Sequence, residues 1–131
     1  RFFGMDRDQN WDRIDQHFAV LADKETEIST DSWKKNLENF YKNSEKSDYY
    51  FPPILFEKNG QIRPEDVVIF FNFRADRARQ ISARILERVG EKNFGVFGKY
   101  GENARKIFAS TTPEIKNTLG EVVSRAGFRQ L

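Results

Sequence analysis

Residues 67–80, VVIFFNFRADRARQ, carry the chain from an unbroken apolar run into helical spacing with no linker between the two. The run DVVIFFNF lacks the alternation of a half-solvated strand and is rich in β-branched and aromatic side chains, which predicts a central strand covered on both faces. From Ala75 onward Ala78, Ile81, Ile85 and Val89 recur at helical steps, and Gly90 follows where a helix-terminating glycine belongs. A buried strand that feeds a helix directly is a unit of α/β architecture, so no other stretch restricts the fold as strongly.

The flanking sequence agrees. Trp11, Ile14, Phe18 and Leu21 predict an amphipathic helix over 9–22, with Asp6 and Asp8 near its positive end. Trp33, Leu37 and Phe40 predict a second over 31–44, after the capping side chains of STDSW. Both tryptophans thus fall at core-like positions. The polar stretch 43–50 reads as an internal loop. Residues 49–62 then break at Pro52-Pro53, become strand-like and turn at Asn59-Gly60, a dipeptide favoured where φ is positive. NFGVFGKYG fits a short strand, and ENARKIFAST has no clear period. After Pro113, Leu119, Val122, Val123 and Ala126 define a last helix stopped by Gly127, with Ser110, Thr111 and Thr112 available to cap it. The expected architecture is α/β, a central sheet flanked by helices.

The exit of the apolar run is crowded with positive charge, at Arg74, Arg77 and Arg79. Helix N-termini favour anions, and each cation placed there is unfavourable by about 0.3–1 kcal/mol unless an anion reverses the sign. Arginine forks match phosphate and carboxylate, so an oxyanion is the natural guest. Asp76 lies among these arginines and Arg77, Arg84 and Arg88 share one helical stripe, which suits a paired or core-rimming cluster equally well. Spacing leaves both readings open. RFFGMDRD repeats the problem, with Arg1 and Arg7 around two aromatics; Asp6 and Asp8 there are better helix-start charges than metal ligands.

Composition narrows the chemistry. Twenty-two basic against 20 acidic residues leave a net charge of +2, which argues against a broad nucleic-acid-binding surface. There is no cysteine, and the single histidine, His17, reads as a structural residue within the first helix rather than a catalyst. No apolar run approaches the ~20 residues of a membrane helix, so no membrane partner is expected. At 131 residues one domain is expected.

RFFGMDRDQNWDR resembles the Arg-aromatic-aromatic-small-Met-Asp-Arg-Asp segment of cofactor-independent (2,3-bisphosphoglycerate-independent) phosphoglycerate mutases. VVIFFNFRADRARQ resembles their Phe-Phe-Asn-Phe-Arg-x-Asp-Arg-x-Arg segment, and KNTLGEVVSRAGFRQL is similar to a third, all in the family's order and together covering roughly a third of the chain. The resemblance implies an enzyme that interconverts 3-phosphoglycerate and 2-phosphoglycerate in glycolysis, in the cytoplasm. It further implies a phosphatase-like domain with two Mn²⁺ ions and a phosphorylated serine, and an inserted α/β domain that grips the phosphoglycerate.

On this resemblance residues 1–131 look like one partial substrate-binding, phosphotransferase-type domain. Arg1, Arg7, Arg74 and Arg77 match the family's substrate-binding arginines; Arg79 matches the pattern with no contact assigned. The catalytic serine and the metal ligands have no counterpart in this sequence and are expected in flanking segments. The chain is therefore expected to be a piece of a longer enzyme that binds no metal, depends on the missing metal-binding domain, and is inactive alone. VFGKYGENARK departs from the family pattern. The competing readings are a noncatalytic module for anions or single-stranded nucleic acid, and a fragment that folds but binds nothing by itself.

Overall fold

A computed structural model describes residues 1–98, 100 and 115–129, together with the backbone of 105 and 106. It contains α1 (Trp11–Ala22), α2 (Trp33–Asn43), β1 (Val68–Phe70), α3 (Ala75–Val89), β2 (Phe94–Val96), β3 (Arg105–Lys106) and α4 (Leu119–Arg125). The strands form one parallel sheet in the order β1-β2-β3, with Val68, Ile69 and Phe70 opposite Phe94, Gly95 and Val96. Parallel neighbours need a crossover, and α3 supplies it between β1 and β2. The fold is α/β, with helices packed on a parallel sheet.

Helix α3 lies against β1 and β2 on one side and α1 on another, so it is the middle layer. Its Ala78, Ile81, Ile85 and Val89 meet Ile14 of α1, Phe94 and Val96 of β2, and Tyr100 in one buried cluster. Each such aliphatic or aromatic side chain contributes about 1.5–3 kcal/mol by leaving water. The helix stops at Gly90, whose φ of 78° lies in the left-handed region that glycine adopts without strain. Arg84 clamps α1 from outside the core: Nε and Nη2 donate to Asp15 at 2.7 and 3.1 Å, and the guanidinium stands 4.8 Å from the Trp11 ring. Arg88 donates to the carbonyls of Ala22 and Ile62. These two arginines rim the core, as their stripe suggests.

Several expectations are corrected. The run at 67–73 is no doubly covered central strand: β1 holds only three residues at an edge of the described sheet, and β2 is the middle strand. Val67, Ile69, Phe71 and Phe73 point away from the core, with Phe71 and Phe73 83% and 92% exposed. An alternation of inner and outer faces is present, but apolar residues on both faces hide it from the sequence. Helix α2 forms where its spacing predicts, capped by Ser32, which accepts from the Lys35 N–H. It buries no residue fully; Trp33 is 67% exposed and Trp11 38%, so neither tryptophan is a core residue. Helical spacing gives an apolar stripe without saying what covers it.

The chain does turn at Asn59-Gly60, but as a 3-10 turn with neither residue at positive φ, and Leu55 forms only an isolated parallel bridge with Ile28. Helix α4 begins at Leu119 and is capped by Thr118, whose side chain and that of Glu121 close a reciprocal capping box. Ser110, Thr111, Thr112 and Pro113 lie outside the described residues.

Candidate anion-binding site

The segment before α1 is organised by a buried carboxylate. Asp6, 4% exposed, accepts from the backbone N–H groups of Asp8 and Asn10 at 3.0 Å each, from the Asn10 amide at 2.9 Å and from Arg13 at 3.4 Å. Burial alone pushes its carboxyl up, yet the Asn10 and Asp8 hydrogen bonds, with the Gln80 amide nearby, hold it below the ordinary value. Gln9 adopts φ 63° and donates its N–H to the Gln80 Oε1 of α3. The loop is thereby fastened to α3 with Arg7 projecting from its middle. Asp6 is thus a loop organiser; its oxygens already face donors, which suits neither a metal ligand nor a free helix-start charge.

The chain's first residues are held from the other side. Phe2 donates its N–H to the Tyr49 carbonyl at 3.1 Å and packs its ring 4.9 Å from Tyr50, while Arg13 lies over the Phe2 ring at 4.0 Å. Gly4 is pressed onto His17: a Cβ there would stand 2.5 Å from the imidazole Cδ2. This close approach requires glycine and accounts for the small residue in RFFGM.

At the N-terminus of α3 two distant segments meet. Arg74 grips Asp76 with two bonds, Nε to Oδ1 at 2.7 Å and Nη2 to Oδ2 at 3.1 Å, and Arg7 Nη1 donates to the same Oδ2 at 3.1 Å. The Arg74 hydrogen bonds hold the Asp76 carboxyl well below the usual carboxylate range; partial burial opposes them, and the Arg7 bond and the Arg74 charge reinforce them. Arg77 donates from Nη1 to the Met5 carbonyl at 3.0 Å, and its buried Nε has no partner among the described residues.

Arg7 and Arg74 therefore share the Asp76 carboxylate, with Arg7 Nε also 4.0 Å from Asp8, and Arg77 is tied to the loop that carries Arg7, which concentrates positive charge at the start of α3. Each guanidinium has five N–H donors. Arg7 commits one of these to Asp76 and Arg74 two. Arg1 stands at the rim, its α-amino group 3.4 Å from the Tyr49 carbonyl and its guanidinium 5.7 Å from the Tyr49 ring. Arg79 turns away and donates to the Tyr100 carbonyl at 3.1 Å.

Sequence reasoning noticed Asp76 as a possible partner but missed Gln80, Asn72, whose Oδ1 accepts the Arg74 N–H, and Tyr100. None of these carries a local sequence signal. Among the described residues no group of three or more carboxylate or imidazole side chains is placed to hold a metal ion, so these residues do not fit a two-Mn²⁺ site. No helix among them is long and apolar enough to cross a membrane. Two adjoining clefts of about 470 Å³ lie at the far end of α3, by Ala22, Lys24 and Arg88, away from the arginine cluster.

His17 gives the region a pH response. Burial lowers its pKa below the ordinary 6.5. The folded state thus binds this proton less readily than the unfolded state. Its contribution is whole above pH 6.5 and is lost as pH falls from there through the folded value. Denaturant midpoints measured between pH 7.5 and 5 should fall on acidification, and His17→Gln should flatten that slope; an equal slope in both proteins would exclude His17 as its source.

Comparison with known proteins places this geometry in context. Residues 1–113 match the family described as BPG-independent PGAM N-terminus (iPGM_N). Over the whole chain the sequence is 31% identical to a 2,3-bisphosphoglycerate-independent phosphoglycerate mutase of Aster yellows witches'-broom phytoplasma, spanning 29% of that protein. It is 34% identical to the enzyme of the same name from Picosynechococcus, over 99% of this chain and 26% of that one. Against the Legionella pneumophila (Philadelphia 1) enzyme of that name, identity is 35% over the whole chain and 27% of the relative. The chain thus spans little more than a quarter of the length of these relatives.

Proposed function

The chain belongs to the 2,3-bisphosphoglycerate-independent phosphoglycerate mutase family, and we propose on that footing that it forms the substrate-gripping part of an enzyme interconverting 3-phosphoglycerate and 2-phosphoglycerate in glycolysis. In this reading residues 1–131 are one partial substrate-binding domain, and Arg1, Arg7, Arg74 and Arg77 bind the substrate's phosphate and carboxylate. The observation that carries it is the junction at the start of α3, where Arg7 and Arg74 share Asp76 and Arg77 holds the Met5 carbonyl of the loop that carries Arg7.

Phosphoryl transfer is catalysed largely by positioning and by charge set against the migrating group. Fixed guanidinium groups at a helix N-terminus do both, since they orient an oxyanion and need no reorganisation as charge shifts. A bond-making nucleophile and the Mn²⁺ ions belong, in this reading, to a phosphatase-like domain with which the segment works in the cytoplasm. Alone, the chain binds without turnover.

The bare rings of Phe71 and Phe73 beside Arg74 favour a second reading, single-stranded nucleic acid stacked on aromatics. Titration of the ¹⁵N-labelled chain followed at the arginine Nε–Hε signals separates the two. 3-Phosphoglycerate should shift Arg7, Arg74 and Arg77 while an oligonucleotide leaves them in place. Shifts with the oligonucleotide alone would replace the first reading by the second.

A further inference from the structure

On the reading of the arginine cluster as the phosphoglycerate grip, we infer that Asp76 is a positioning residue, which holds Arg7 and Arg74 ready in the orientation that receives substrate. Among the described residues its carboxylate is the group seen to touch both arginines, joining the N-terminal loop to the strand-to-helix junction across 69 residues of sequence.

Asp76 suits this task because its own place is fixed. It lies in the first turn of α3, where the helix backbone sets its position and the helix dipole favours its charge. Arg74 precedes the helix and Arg7 sits on a separate loop, so no shared element directs the two side chains toward each other. Arginine side chains are long and rotamer-rich, and two of them without an intervening anion repel each other. A ligand would then have to order both at the moment of binding. With Asp76 in place, the bidentate pair sets the plane of Arg74 and the third bond sets Arg7. The side chains of Arg7 and Arg74 remain 46% and 53% exposed, so the edges not engaged by Asp76 stay open to a guest.

A carboxylate in this place also admits the opposite role, that of an internal competitor which substrate must displace. The two differ in sign. As a competitor its removal would tighten binding; as a positioning group its removal weakens binding although the site becomes more positive. The bidentate geometry, with a further arginine on the same oxygen, favours positioning.

The test uses a complete mutase that contains this segment. Asp76→Asn keeps the shape and removes the charge; it should raise KM for 3-phosphoglycerate about tenfold, the scale of ordering two arginine side chains on binding, with kcat changed less than about twofold. Asp76→Glu, which restores the charge, should recover part of that loss. In the ¹⁵N-labelled chain the Arg74 Nε–Hε signal of Asp76→Asn should sit at the free-arginine position before any ligand is added. An unchanged or lowered KM in Asp76→Asn overturns the inference. If 3-phosphoglycerate fails to move the Arg7 and Arg74 signals in the unaltered chain, the site reading itself fails. If it moves them and Asp76→Asn binds equally well, only the role of Asp76 is lost.

Discussion

Arg77→Ala, placed in a complete mutase carrying this segment, is expected to lower kcat/KM for 3-phosphoglycerate by about 10²–10³-fold, the range for loss of one preorganised donor to a developing anion. On the proposed reading Arg77 acts twice. Its Nη1 ties down the Met5 carbonyl, and so the loop that carries Arg7, while its charge would add to the field around a bound oxyanion. Its buried Nε has no partner among the described residues, a donor for which an oxyanion or water is the natural acceptor. The effect on stability should be far smaller, about 1 kcal/mol for the lost hydrogen bond. Arg77→Lys keeps the charge and loses the fork, so it should recover only part of the activity. Kinetics paired with thermal melts decide the matter. Full turnover in Arg77→Ala with an unaltered melt would remove Arg77 from the site.

The second large effect concerns a residue that is not proposed to touch substrate. Asp6→Ala should destabilise the chain by about 3 kcal/mol, because it leaves the donors of Asp8 and Asn10 and the Arg13 charge without their shared acceptor. Asp6→Asn keeps the volume but turns one acceptor into a donor, and should lie between. The folded Asp6 carboxyl titrates below its ordinary 3.8, so its contribution is whole above that pH and disappears as pH falls through the lower, folded value. Asp6→Ala should therefore lose less stability on acidification than the unaltered chain. Urea denaturation at pH 7 and in acid measures both. A loss under about 1 kcal/mol at pH 7 would show that the loop is held by something other than this carboxylate.

Much of this was legible in the sequence, for identifiable reasons. Helix α3 announces itself because its core face repeats over four turns and a glycine stands at its end, both local signals. The arginines at its start were legible as a problem in electrostatics, since cations at a helix N-terminus ask for an anion.

What lay beyond the sequence was tertiary. VVIFFNF reads as doubly buried because hydrophobicity records that both faces are apolar, not which neighbours cover them. The structure leaves Ile69, Phe71 and Phe73 largely exposed, with Phe71 against the Phe97 ring. Trp33 obeys helical spacing and still faces outward for the same reason. Asp6 reads as one acid among several near a helix start. The loop it organises, which carries Arg7, is fastened to Gln80, 71 residues away from the Gln9 that meets it. Arg79 and Arg77 look alike in the motif, yet the helix sends one to Tyr100 and the other to Met5.

The central claim is that arginines from two remote segments close on one small acid that carries both a phosphate and a carboxylate. A crystal structure of a complete mutase containing this segment, with 3-phosphoglycerate bound, tests it most directly. The account predicts the guanidinium groups of Arg7, Arg74 and Arg77 within hydrogen-bonding distance of the same ligand molecule, with Arg1 reaching it from the rim. A ligand seated elsewhere, with the three arginines touching only protein and solvent, would contradict it.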